Sequence, residues 1–161
     1  MDYRETGLEY RDQRVGGRVT TEKNEKEQVE EDNKKKMILI VDDDVEIANS
    51  FALALEDSGL FEVATYNDPL VALSNYRPNF YDLLLLDIQL PEMNGFNFYQ
   101  KIRKIDSQVK VCFITGYNID YTELKEQNPS LDLDCFISKN ILRKPIELSK
   151  LIKGIESELL T

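Results

Sequence analysis

The stretch YDLLLLDIQLPEMNG, residues 81–95, decides the fold. It opens with a continuous apolar run, Leu83 to Leu86, far too short to span a membrane. A run of this kind suits a strand covered on both faces, as in a parallel sheet flanked by helices. One carboxylate, Asp87, ends the run, and Pro91 and Gly95 punctuate a loop leading into a helix. Ligands of open parallel sheets bind outside the carboxyl ends of the strands, where Asp87 would stand. Read by itself, the stretch fits equally well an ordinary strand that ends in a turn or capping Asp.

Working outward, strand and helix patterns alternate from Met37 to the end. MILIV (37–41) reads as a buried strand ending in Asp42, Asp43 and Asp44. Ala48, Phe51, Ala52 and Leu55 recur at helical spacing, and that helix closes near Gly59. FEVATY (61–66) reads as a strand. Asp68-Pro69 starts a helix with inner face Pro69, Ala72, Leu73 and Tyr76, stopped by Pro78. After the Leu-rich strand, Gly95 to Ile105 is expected to be helical, with Phe98, Ile102 and Ile105 inward. VCFIT (111–115) is a fourth strand, and a short helix is expected around Tyr121 to Gln127. A fifth strand falls within 135–143, and Leu148, Leu151, Ile152, Ile155 and Leu159 mark a last helix, with Leu148 and Leu151 facing inward. Alternating strands and helices imply right-handed crossovers and a doubly wound α/β fold: a five-stranded parallel sheet, order 2-1-3-4-5, with five helices.

Residues 1–36 stand apart. They carry nine Lys/Arg against ten Asp/Glu and few apolar residues, so a disordered tail is expected there and a folded domain over 37–161. The remaining residues hold eleven Lys/Arg against twenty Asp/Glu, so the acidity belongs to the domain. The net charge of -10 and pI near 4.6 disfavour binding of nucleic acid through its phosphates. No apolar stretch reaches membrane-spanning length and no signal-peptide core opens the chain, so a cytoplasmic protein is expected. The two cysteines, Cys112 and Cys135, read as reduced, buried fillers. The absence of His leaves any chemistry to carboxylates, Lys and hydroxyls.

In the order 2-1-3-4-5, strands 1 and 3 are neighbours, so Asp42, Asp43 and Asp87 would crowd into one crevice. Clustered carboxylates repel unless a cation intervenes, and Mg2+ is the usual hard ion at phosphoryl-transfer sites. A carboxylate beside it can attack phosphorus. Thr115 and Lys144, at the ends of the fourth and fifth strands, would add a hydroxyl and an ammonium. Each has a bland reading too: Asp44 caps the first helix, Thr115 is a β-branched strand residue, Lys144 a surface lysine.

The pieces ILIVDDD (38–44), LLLLDIQLPEMNG (83–95), FITG (113–116) and RKPI (143–146) together resemble the receiver domain of two-component response regulators. The resemblance covers everything after the tail and implies a flavodoxin-like sheet. It implies that Asp87 accepts a phosphoryl group from a histidine kinase. Asp43 would be the main Mg2+ ligand, Asp42 its helper, and the Gln89 backbone carbonyl a further contact. Thr115 would turn toward the phosphoryl group, and Lys144 would pair with it across a cis Lys-Pro bond. Such a protein is a switch that assists only its own phosphotransfer and dephosphorylation, not an enzyme acting on others. With one residue after Leu160, it would act through a downstream protein target or by passing phosphate on, with a homodimer on phosphorylation as a further possibility.

Two features depart from the family. Gly116 stands where Ala usually follows the switch hydroxyl. Lys139, three residues after Phe136, competes with Lys144, three residues after Ile141, for the site; Lys144 is preferred because Pro145 and the last helix follow it at once. If so, Cys135 to Asn140 form an inserted approach to strand five, ILR (141–143). The alternative function is a phosphorylation-independent adaptor on the same fold. An aspartate-nucleophile phosphatase is disfavoured because Gln89 occupies the place of its second Asp, and a dinucleotide-binding enzyme because no Gly-x-Gly-x-x-Gly follows the first strand.

Overall fold

The computed structural model describes residues 34–116 and 141–160, with Thr122, Lys125, Glu126 and Pro129 between them. Its elements run β1 (Lys36–Val41), α1 (Val45–Asp57), β2 (Phe61–Tyr66), α2 (Pro69–Ser74), β3 (Leu83–Asp87), α3 (Gly95–Arg103), β4 (Lys110–Thr115), β5 (Ile141–Arg143) and α4 (Leu148–Leu160). The sheet is parallel throughout, in the order β2-β1-β3-β4-β5. Four helices are thus seen among the described residues. The fifth expected one, around Tyr121 to Gln127, lies largely outside them, as do Cys135 to Asn140.

Period-two alternation splits the central strands between two cores. Ile38, Ile40, Leu83, Leu85, Cys112 and Ile114 face α1 and α4, packing on Ala48, Phe51, Leu55, Leu151 and Ile155. Leu39, Val41, Leu84, Leu86, Val111 and Phe113 face α2 and α3, packing on Ala72, Phe96, Phe98, Tyr99 and Ile102. With no polar side chain before Asp87, β3 is covered on both faces, which makes its end a rigid mount.

The helix starts follow their caps. The Asp44 side chain accepts from the Glu46 and Ile47 N–H groups, and Asp68 accepts from Leu70 and Val71 ahead of Pro69 at the first helical position. At the other end of the sheet, Lys110 Nζ donates to the Glu158 and Leu159 carbonyls at 2.8 and 3.2 Å, satisfying the last turn of α4.

Two inward assignments are corrected. Ile105 is 53% exposed. The helix α3 ends at Arg103, and the Ile105 and Asp106 N–H groups both turn back onto the Ile102 carbonyl, so Ile105 leaves the helical phase that buries Phe98 and Ile102. Leu148 is 42% exposed, because it stands in the first turn of α4, ahead of the turns that bury Leu151 and Ile155 against the sheet. Cys112 is a free, buried thiol, and Cys135 lies outside the described residues.

Candidate functional site

The site forms at the carboxyl ends of β1, β3 and β4 and in the turn after β5. Strand register fixes the pieces: Val41 is paired with Leu86, and Asp87 with Ile114. Asp42, one residue past Val41, therefore stands beside Asp87. Asp42 continues the face of Ile40, and Asp87 that of Leu85, so both carboxylates emerge on the side of α1 and α4. They line a cleft of about 680 Å³ together with Asp43, Asp44, Ile47, Ser50, Phe51, Gln89, Gly116, Lys144, Pro145 and Ile146.

Within this cleft, carboxylate oxygens of Asp42, Asp43 and Asp87 lie within 4.8 Å of one another. Asp42 and Asp87 are buried and Asp43 is exposed. Lys144 Nζ bridges the two buried members, at 2.6 Å from Asp42 Oδ2 and 2.9 Å from Asp87 Oδ2. The remaining oxygens of these two residues also have donors: Asp42 Oδ1 accepts from the Asp44 N–H at 3.0 Å, and Asp87 Oδ1 from the Gln89 N–H at 2.8 Å.

The electrostatics follow from this packing. Burial pushes the Asp42 carboxyl above its ordinary value; the neighbouring Asp87 charge adds to the push, while the bonds from Lys144 and Asp44 oppose it. Burial pulls the Lys144 ammonium downward, but its hydrogen bonds to Asp42 and Asp87 outweigh that and hold it above its ordinary value. Lys144 is therefore a firm cation. Three carboxylates against one ammonium leave two negative charges in the cluster. A hard divalent cation with oxygen ligands matches both that charge and the donor set, so the residues present fit Mg2+.

Lys144 is delivered by two features of the chain. Its backbone N–H donates to the Thr115 carbonyl at 2.7 Å, which ties the turn after β5 to the end of β4. The Lys144-Pro145 peptide bond is cis. Lys139 lies outside the described residues.

Thr115 is buried at the same edge but is not among the described residues lining the cleft. It follows Phe113 in phase, on the opposite face of the sheet from Asp87. Gln89 lines the cleft through the loop whose N–H holds Asp87.

Sequence reasoning missed the apolar wall of the cleft, formed by Ile47, Phe51 and Ile146: Phe51 reads simply as helix core, and Ile47 and Ile146 carry no signal of a cleft. It also read Gly95 only as punctuation. A Cβ at Gly95 would overlap the Asp87 carbonyl oxygen and lie 3.1 Å from the carbonyl carbon, while the Gly95 N–H donates to the Ile88 carbonyl at 3.0 Å. The glycine lets α3 begin directly against the backbone of the candidate phosphoacceptor.

Comparison with known proteins adds an independent line. The model of the response regulator receiver domain family matches residues 38–156. The response regulator receiver protein CpdR of Brucella abortus is 31% identical over 118 residues, covering 73% of this chain and 92% of that protein. The transcriptional regulatory protein CpxR homolog of Haemophilus influenzae is 34% identical over 115 residues, 71% of this chain, which spans 46% of the longer relative. Among solved structures, a CheY-like receiver domain protein of Methanospirillum hungatei superposes with a TM-score of 0.62 at 30% identity, covering 78% of this chain and 94% of that one.

Proposed function

The chain belongs to the response regulator receiver domain family, and from that premise we propose that it is a switch phosphorylated on Asp87 by a histidine kinase in the presence of Mg2+. The observation that carries the reading is the bridge of Lys144 between Asp42 and Asp87 beside the exposed Asp43. A buried nucleophile, a fixed ammonium and an oxygen-ligand set for a divalent ion meet at one edge of the sheet.

A carboxylate oxygen of Asp87 attacks phosphorus. An O–P bond forms, the N–P bond to the donor imidazole breaks, and the ring nitrogen keeps the electron pair. Lys144 supplies positive charge next to the entering phosphoryl oxygens, and the Gln89 N–H orients the nucleophile. Asp43 and Asp87 would hold the Mg2+, with Asp42 and the Gln89 carbonyl at its margin; bound there, the ion neutralises phosphoryl charge. Thr115, buried at the edge of β4, would join the phosphoryl group after a rotation of its side chain. The output is a change of surface read by a partner protein, and the segment ahead of Lys34 is a dispensable tail.

The test uses a small phosphodonor. Acetyl phosphate with Mg2+ is expected to add one acid-stable, hydroxylamine-labile phosphate to the chain. Asp43→Asn should lose most of the rise in thermal midpoint that millimolar Mg2+ gives the wild type. Uptake of phosphate by Asp87→Asn at the wild-type level would overturn the assignment. If the wild type takes up no phosphate from any donor while keeping its fold, the adaptor reading replaces this one.

A further inference from the structure

Asn94-Gly95 is the only Asn-Gly pair in the chain. In such a pair the glycine nitrogen attacks the asparagine side-chain carbonyl carbon more readily than in any other, because no Cβ shields it. The attack needs three freedoms: an unbonded glycine nitrogen, an asparagine Cγ turned toward it, and rotation about the asparagine Cα–C bond. The fold withholds all three. The Gly95 N–H donates to the Ile88 carbonyl at 3.0 Å. The Asn94 side-chain oxygen caps α3 by accepting from the Asn97 N–H at 2.8 Å, which commits its amide to the helix start. The Asn94 carbonyl accepts from the Phe98 N–H at 3.0 Å, and its ψ is held extended at 160°. The glycine itself is obligatory, since a Cβ there would overlap the Asp87 carbonyl oxygen. A labile pair is thus built into the backbone beside Asp87, and phosphoryl transfer makes no use of it.

We propose that Asn94-Gly95 is a latent deamidation site: the fold keeps it closed, opening of the loop between β3 and α3 releases it, and its isoaspartyl product ends phosphorylation of Asp87. Only the last clause rests on the phosphoacceptor reading. Once the loop opens, the Gly95 nitrogen loses its proton to solvent base and attacks Asn94 Cγ. The N–Cγ bond forms, the Cγ–Nδ2 bond breaks, and ammonia leaves with the electron pair and a proton from water. A five-membered succinimide joins positions 94 and 95. Water then opens that ring. Attack at Cγ leaves an ordinary aspartate. Attack at the former main-chain carbonyl leaves isoaspartate, whose backbone runs through Cβ and is one carbon longer. The longer path removes the carbonyl that Phe98 uses as its first helical acceptor. It also displaces Gly95 from the one place where α3 can start against the Asp87 backbone. The aspartyl product keeps both, and aspartate is as good a cap as asparagine.

Two measurements on the full chain decide the matter. The first holds it in mildly alkaline buffer, folded and in denaturing urea, and follows isoaspartate at position 94 by peptide mass spectrometry with electron-transfer fragmentation. The product is expected to form at least about tenfold faster in urea than in the folded chain, because the folded rate is limited by opening of the loop. A smaller ratio, or no product at 94 in urea, would overturn the proposal. These rates involve no phosphate, so they judge the site even if Asp87 proves not to be the phosphoacceptor. That reading fails separately, if the unmodified chain takes up no phosphate. The second measurement separates isoaspartyl from unmodified chain after the same urea treatment, refolds both, and gives each acetyl phosphate with Mg2+. The isoaspartyl chain is expected to take up less than about a tenth of the phosphate that the unmodified chain takes. Asn94→Asp, which adds the charge without lengthening the backbone, is expected to take up the wild-type amount. Greater uptake by the isoaspartyl chain, or an equal loss in Asn94→Asp, would overturn the consequence drawn for Asp87.

Discussion

Replacing Gly95 by Ala sets two effects of opposite sign against each other. Gly95 is the first residue of α3, and its φ is not among the positive ones of the described backbone. At an ordinary helical glycine, Ala stabilises by about 0.5–1 kcal/mol, through lower chain entropy in the unfolded state. Here the new Cβ would overlap the Asp87 carbonyl oxygen and lie 3.1 Å from its carbon and 3.2 Å from Ile88 Cα. All three are backbone atoms of the buried end of β3, and none yields by a rotamer change. Forcing a carbon into such a place costs about 1–3 kcal/mol. The collision wins, and Gly95→Ala is expected to be less stable by roughly 1–2 kcal/mol. With a urea slope of about 1–3 kcal/mol/M, the midpoint followed by far-UV circular dichroism should fall by about 0.3–2 M. Because the shift falls on Asp87 and on the loop whose Gln89 N–H holds it, Mg2+ binding should weaken as well. A Gly95→Ala chain as stable as the wild type would refute the reasoning.

Gly116→Ala makes the contrast, since among the described residues its Cβ would meet only the Lys144 stem, at 4.0 Å; it should stabilise by about 0.4–1 kcal/mol in the same urea assay. The buried Asp106 accepts from Tyr76 Oη and the Asn79 N–H at 2.8 Å and from the Gln108 and Val109 N–H groups at 3.3 Å. Burial raises its pKa, but those four hydrogen bonds outweigh it and hold the carboxyl below its ordinary value of 3.8. Its contribution is therefore full above that value and lost as pH falls through the lower folded one. Asp106→Asn should cost about 1–3 kcal/mol near neutrality, with the gap to wild type closing below about pH 4 in pH-dependent urea titrations. The Cys112 thiol is pushed up to about 12, chiefly by burial, so site-resolved mass spectrometry should find it unalkylated by iodoacetamide at pH 8 until urea is added. A chain beginning at Lys34, two residues before β1, should fold and take up phosphate as the full chain does; failure would make the tail part of the domain.

Local chemistry made most of the fold legible. The unbroken run Leu83–Leu86 announced a doubly covered strand, and Asp44 and Asp68-Pro69 announced helix starts, because caps and strand burial are settled within a few residues. The meeting of Asp42, Asp43 and Asp87 followed from strand order alone, and Lys144 followed from its place ahead of the last helix. What escaped depends on partners distant in the chain. Asp106 sits in Ile105-Asp106-Ser107, which reads as a surface turn; only Tyr76 and Asn79, about thirty residues earlier, turn it into a buried hub. Helical phase pointed Ile105 and Leu148 inward, but phase says nothing of where a helix ends or where the sheet stops covering it. The need for Gly at position 95 arises from the approach of α3 to the end of β3, a distance no spacing pattern encodes.

The central claim is that Asp87, alone among the three clustered carboxylates, accepts the phosphoryl group. Borohydride reduces an acyl phosphate on Asp to homoserine and so marks the acceptor in the chain. After treatment with acetyl phosphate and Mg2+, reduction and peptide mass spectrometry should place homoserine at position 87. Homoserine at 42 or 43, or a reduced mark that persists undiminished in Asp87→Asn, would contradict the account.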